Sequence, residues 1–378
     1  MTIRFYGTPV VSAVAVLLAG PVFHPMPLAS HSIAQTQQDV RTRPEPGRGV
    51  PVFEVDAAWP RPLPNKWAIG QVSGVAVDAR DHIWIAQRGP SDAAAVSAPP
   101  VIEFDAEGNV VQAWGSPGAG YEWPGEMHGI SLDHKDNVWI TASDPGDTHV
   151  LKFTRTGKFL LQIGRKGNSG GTNDTANLDR PAQARVDPQT NEVYIADGEG
   201  ENHRVIVFDA DTGAYKRHWG AYGQKPDHAK VTKYDPSGPP PSQFSTVHCL
   251  RLSTDGLVYV CDRGHDRIQM FRKDGTFVKE VFVTKQVKEA VRTGALFDLS
   301  FSPDQRFMYV ADAPNARIWI LLRDELRIVG SFGGAGTKPG QFVPNVHDMA
   351  VDSNGNIYTG EAANGNRVQK FVYKGNRR

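Results

Sequence analysis

Three histidines, His128, His248 and His347, occupy the same position of an internal repeat, in every second copy. Alternate copies of a ring of six lie a third of a turn apart, so three imidazoles at that position converge on the central axis. Three imidazoles around one ion, with one position left open, are the donor set of a catalytic zinc site; iron, manganese or nickel also accept it. A single histidine on an inner strand is usually a satisfied core residue, but three in one column of alternate copies are not readily assigned to chance.

The repeat is read from short runs with period-two alternation, separated by turns rich in Asp, Asn and Gly. Its first strand begins at Ser73, His128, Ala182, His248, Phe297 and His347 in the six copies. The second strand carries Trp84, Trp139, Tyr194, Tyr259, Tyr309 or Tyr358. A third strand ends near Phe104, Phe153, Phe208, Phe271, Leu321 or Phe371, and a fourth often closes on glycine, as at Gly115, Gly164 and Gly220. Four strands per unit of about 40–50 residues predict an all-β fold, a six-bladed β-propeller. The last copy lacks a fourth strand, and Val52–Val55 ahead of the first copy supplies it, closing the ring and removing the open edges.

The domain boundaries follow. Residues 1–34 read as a signal peptide, with Arg4, an apolar stretch from Val10 to Ala19 and a small-residue cleavage site at Ser32-Ile33-Ala34. That stretch is short for a membrane span, and an uncleaved anchor is the alternative. Residues 35–50 read as a flexible leader, 51–375 as the propeller and 376–378 as a basic tail. A periplasmic or secreted location is expected. Net charge is zero, which gives no sign of a nucleic-acid or anionic-membrane partner. A monomer is expected, acting on a small molecule or peptide that bears a carboxylate. The two cysteines, Cys249 and Cys261, lie on adjacent strands; an oxidising compartment favours a disulfide, and two buried thiols are the alternative.

Long connections occur at Gly89–Pro100, Lys166–Ala176 and Ala221–Pro241, all on the rim where the histidine strands begin. Function commonly sits on such loops over a rigid scaffold. Arg88 and Arg263 share one column of that rim, in blades one and four. A guanidinium fork suits a carboxylate; ion pairs with Asp262 or Asp312 are the structural alternative. Asp348, next to His347, is a candidate for holding a hard cation in the tunnel or for satisfying strand-end amides.

These residues resemble a known family. Gly70 to Asp78, Gln87-Arg88-Gly89, His128-Gly129, Val247-His248-Cys249-Leu250, Asp262-Arg263, Arg267-Ile268-Gln269 and His347-Asp348 are similar to the peptidyl-α-hydroxyglycine α-amidating lyases, six-bladed propellers of NHL repeats. The resemblance runs from Phe53 to Phe371. It implies zinc on His128, His248 and His347, substrate held by Arg88 and Arg263, and a structural calcium on Asp348 and the carbonyls of Val75 and Ile130. The implied reaction splits a peptidyl-α-hydroxyglycine into an amide and glyoxylate.

One departure stands out. The family carries a catalytic tyrosine after Asp-Gly in blade three, where this chain reads Asp197-Gly198-Glu199. Glu199 is therefore either a replacement base, whose pKa would have to lie well above that of a free glutamate, or a solvated acid in a Gly-rich turn. Tyr121, Tyr222 and Tyr234 are the nearby loop tyrosines that could substitute. A lyase of the amidating type is the expectation; another metal-dependent enzyme such as a hydrolase, or a non-catalytic binding propeller, are the alternatives.

Overall fold

Among the described residues there are six four-stranded antiparallel sheets, one per sequence repeat, and one two-stranded parallel sheet at Trp67–Ala68 and Val96–Ser97. The computed structural model describes residues 49–283, 294–343, 345–363 and 365–377. The expected signal peptide and nearly all of the leader lie outside these residues. Among the described residues the only helical elements are three-residue 3-10 turns, and no helix is long and apolar enough to cross a membrane.

Blade one comprises Val72–Val77, Ile83–Gln87, Val101–Phe104 and Val110–Trp114; blade two runs from Met127 to Gly164 and blade three from Pro181 to Trp219. Blades four and five run from Val247 to Phe282 and from Leu296 to Gly333. Blade six takes Val346–Val351, Ile357–Glu361 and Arg367–Arg377 from the C-terminus, and its outer strand, Val50–Asp56, from the N-terminus. The closure is longer than the sequence suggests. Val50 pairs with Arg377 and Pro51 with Asn376, so part of the expected leader and basic tail is ladder, each strand satisfying backbone groups the other would leave open.

Apolar residues fill the space between blades. The aromatic of each second strand is 0–2% exposed. The polar tips of three of them find the same partner: Trp84, Trp139 and Tyr358 donate to Asp78, Asp133 and Asp352, each at 3.0–3.1 Å. The other oxygen of that aspartate shapes the turn that follows; Asp78 Oδ1 accepts from the amides of Arg80 and His82 at 2.8 and 3.0 Å. One residue type thus ends the first strand and anchors the second.

Ion pairs with a fully buried carboxylate tie the long loops to the blades. Arg204 pairs with Asp197 at 2.8 Å, Arg267 with Asp262 at 2.9 Å and Arg367 with Glu361 at 2.5 Å. The free end of each guanidinium donates to loop carbonyls: Arg204 to Thr172 and Asn177, Arg267 to Pro241 and Gln243, Arg367 to Thr337 and Gln341. The rim loops are therefore fixed by charge-assisted bonds. Cys249 and Cys261 face each other in the register of blade four and form a disulfide.

Candidate metal centre

Every blade breaks register at the same place in its first strand. The irregularity falls between Val72 and Gly74, Met127 and Ile130, Pro181 and Gln183, Val247 and Cys249, Leu296 and Asp298, and Val346 and Asp348. The skipped residues are the column that holds the histidines. A bulge re-aims a side chain and frees a carbonyl from the ladder, and both consequences are used here. Each histidine is turned into the tunnel, and its Nδ1–H donates to the column carbonyl of the next blade: His128 to Ala182 at 2.9 Å, His248 to Phe297 at 2.5 Å and His347 to Ser73 at 2.8 Å. Gly129 permits the close approach of blades two and three, since a Cβ there would lie 2.6 Å from the carbonyl oxygen of Ala182.

That bond fixes the tautomer and leaves Nε2 as a lone pair. The three rings lie 4.7–5.1 Å apart, centroid to centroid, and the ligand atoms fall within 4.8 Å of one another. The histidines are at most 5% exposed, and Nε2 of His248 is buried without a hydrogen-bond partner. Burial is the main reason that His128 is pushed down to about 4 and that His248 and His347 lie well below the usual histidine value; Arg263 adds to it in all three, Arg88 in His128 and His347. Neutral, pre-oriented imidazoles with an unused donor atom fit a divalent transition metal.

The structure brings Arg88, Arg263 and Glu199 to this cluster. Their side chains are 15–17% exposed, so the site opens to the loop rim. Arg88 donates to Met127 O at 2.7 Å and contacts Glu126 at 2.5 Å. Arg263 lies 4.8 Å over the Phe297 ring and 3.0 Å from Glu199 Oε1. It does not pair with Asp262 or Asp312, which serve Arg267 and His265, and Asn315 and Trp319. Glu199 Oε1 is 3.5 Å from His248 Nε2. Burial raises the Glu199 carboxyl, but Arg263, His128, Arg180 and Arg88 together outweigh it and hold it below the usual glutamate value. The raised pKa required of a base acting near neutrality is therefore not found; positive charge around the carboxylate is the reason.

The loop tyrosines make contacts other than with the three clustered histidines. Tyr121 bonds Ser116 O, Tyr222 bonds Glu280 and Arg267, and Tyr234 is buried against His265. Sequence reasoning missed Glu126 and Arg180, although both stand two residues before the column residue of their blades, and that shared position could have found them.

Around the expected calcium ligands, two guanidiniums face the oxygens of Asp348 and Ile130. Arg185 Nη1 lies 3.4 Å from the Ile130 carbonyl and donates to Ala184 O at 3.0 Å. Arg251 Nη2 is 2.7 Å from Asp298 and 3.5 Å from Asp348, and donates to Met349 O at 3.0 Å. Asp348 Oδ2 accepts from the amide of Val75 at 3.2 Å. A second cluster, Asp78, His82 and Glu103, is likewise held by a cation, with Arg155 Nη1 2.6 Å from Asp78 and Nη2 bonded to Glu103.

Comparison with known proteins agrees with this architecture. Residues 218–321, in blades three to five, match a family model described as lactonase, 7-bladed beta-propeller; the ring here has six blades. NHL repeat-containing protein 3 of Mus musculus is 28% identical over 332 residues, 85% of this chain and 84% of that one. Peptidylglycine alpha-amidating monooxygenase of Rattus norvegicus is 29% identical over 332 residues, 80% of this chain but only 30% of that protein. Peptidyl-alpha-hydroxyglycine alpha-amidating lyase 1 of Drosophila melanogaster is 25% identical over 277 residues, 67% of this chain and 46% of that one. The chain is a six-bladed propeller similar both to an NHL repeat-containing protein and to amidating enzymes.

Proposed function

We propose that this chain is an exported, metal-dependent carbon–nitrogen lyase that splits a peptidyl- or acyl-α-hydroxyglycine into an amide and glyoxylate. The observation that carries the reading is the meeting, at one opening, of three neutral imidazoles with two arginines. The amidating lyases among its relatives support it. Export is supported by the Cys249–Cys261 disulfide.

His128, His248 and His347 would hold the ion, and the donor set suits zinc or another divalent transition metal. When bound, the metal supplies Lewis acidity that eases loss of the α-hydroxyl proton. The side chains do the rest. Arg263 and Arg88 bind the substrate carboxylate, taking it in exchange for Glu199 and Glu126, which they face at 3.0 and 2.5 Å. The Glu199 carboxylate, ionised and a weaker base than a free glutamate, would take the hydroxyl proton only where that proton has been made acidic. The O–H electron pair becomes the new C=O bond, the C–N bond breaks toward nitrogen, and the same proton completes the amide. No water is consumed and nothing is oxidised.

The test is glyoxylate release from an N-acyl-α-hydroxyglycine by metal-loaded protein, against a chelated control. Absence of glyoxylate, or an equal rate in both, would overturn the reading. The presence of Glu199 where a tyrosine is expected favours one second reading, a metal-dependent hydrolase in which that carboxylate orients water. Metal-dependent ester or amide hydrolysis without glyoxylate release would select it.

A further inference from the structure

Glu199 is held in place by its whole surroundings. Gly198 lets the turn pass against blade four, since a Cβ there would lie 2.4 Å from the amide nitrogen of Val247. The amide of Glu199 donates to Arg180 O at 3.3 Å, and that of Glu201 to Asp179 Oδ2 at 2.8 Å. Asp197, immediately before the turn, is fixed by Arg204 and Asn202 and accepts the Asp179 amide at 2.8 Å. The carboxylate is thus pre-positioned rather than free to swing in solvent.

Its Oε1 atom ends 3.5 Å from Nε2 of His248. Both atoms are buried, and neither has a hydrogen-bond partner. His248 has already used its ring proton on Phe297 O, so Nε2 presents a lone pair. Two electron-pair donors therefore face each other across 3.5 Å. Leaving two such groups unsatisfied is costly, and the contact of Oε1 with Arg263 at 3.0 Å relieves only the carboxylate. A cation shared by both atoms relieves both.

We propose that Glu199 is a fourth protein ligand of the metal held by His128, His248 and His347. The inference rests on the metal-site part of the function proposed above. It gives the centre three nitrogens and one carboxylate oxygen, a set that accommodates harder divalent ions than three imidazoles alone. It also gives Arg263 two alternative partners. With no substrate it steadies the Glu199 carboxylate at the metal. A substrate carboxylate competing for Arg263 loosens Glu199, which then becomes available for proton transfer. The site so built is closed at rest and opens only to a molecule that carries an anion.

The test is titration of metal-free protein with Co²⁺, read by calorimetry and by the visible absorption of the bound ion. Wild type is compared with Glu199→Gln, Glu199→Ala and His248→Ala, each checked for fold by circular dichroism. Loss of a ligand from Glu199→Ala should weaken Co²⁺ binding by about 10–100-fold, the scale on which even supporting groups act, and should change the absorption bands. Glu199→Gln, whose amide oxygen is a weaker donor, should fall between. Wild-type affinity and spectrum in both Glu199 variants, with binding lost in His248→Ala, would overturn the inference and leave the three-histidine site standing. Unaltered binding in His248→Ala would overturn the metal site itself.

Discussion

The Nδ1–H of His347 donates to the carbonyl oxygen of Ser73 at 2.8 Å, joining the last blade to the first. The same step, from column residue to column residue, links His128 to Ala182 and His248 to Phe297. The groups that point metal ligands at the axis therefore also couple neighbouring blades, and one of them spans the closure of the ring.

Metal content should depend on each histidine while the ring does not. Ala182 already fills this column in blade three, so the strand tolerates alanine there. His128→Ala, His248→Ala and His347→Ala are expected to keep the far-ultraviolet spectrum and lose most of the metal found by mass spectrometry of purified protein. The stability cost should be about 1–3 kcal/mol each, the scale of losing a buried hydrogen-bonded side chain. A full complement of metal in any of the three would remove that residue from the ligand set.

Metal-free protein should lose stability as pH falls below the ordinary histidine range. Burial first, with Arg88 and Arg263 adding to it, brings His128 from 6.5 down to about 4, so the unfolded chain binds its proton first. Stability is then full above pH 6.5, falls between pH 6.5 and 4, and has lost this contribution below. A shift of 6.5 − 4 = 2.5 units corresponds to about 3 kcal/mol at most. Urea midpoints at pH 7.5 and 4.5 measure it, and His128→Ala should show the smaller difference. Identical pH profiles for the two proteins would contradict the burial argument.

Much of this was legible in the sequence, for a physical reason. Period-two alternation, the Asp or Ser that caps each first turn and the aromatic six or seven residues later recur because every blade solves the same packing problem. That recurrence exposed the histidine column, the paired Arg88 and Arg263, and the need for an N-terminal closing strand. What it concealed depends on register and on irregular backbone. Nothing in the letters marks the bulge at each column residue. Glu126 and Arg180 share the position two residues before the column, but it carries a different residue type in every blade and so shows no pattern of residue type. The spacing of Asp197 and Arg204, or of Asp262 and Arg267, does signal the loop-holding ion pairs, but only once the strands are known to be adjacent. The resemblance implied a cation on Asp348 and the carbonyls of Val75 and Ile130; that Arg185 and Arg251, three residues beyond their own column positions, face the same tunnel was not read from the letters.

Removing either rim arginine should impair recognition of an anionic substrate without removing metal. Loss of one charged hydrogen bond costs about 1.5–3 kcal/mol, roughly a tenfold to hundredfold fall in kcat/KM for Arg88→Ala or Arg263→Ala. Arg263→Lys should recover part of it, since an ammonium restores charge but not the planar fork. Retained metal with unchanged kcat/KM, or equal rates on carboxylate and carboxamide forms of one substrate, would mean that no carboxylate is read here.

The tunnel beneath the histidines should need no calcium. Arg251 bridges Asp298 at 2.7 Å and Asp348 at 3.5 Å, while Arg185 faces the Ile130 carbonyl. Burial and the neighbouring Asp298 raise Asp348 above the usual aspartate value, and Arg251 and Arg185 act against them. Arg251 is thus the main cation available to these acids, and its loss leaves them buried and uncompensated. Arg251→Met should cost about 3–5 kcal/mol, as breaking buried ion pairs does. Millimolar calcium should leave the melting temperature of the wild type unchanged and raise that of Arg251→Met, because only the variant has oxygens without a cation. A calcium-dependent rise in the wild type would show that the guanidiniums do not fill this role.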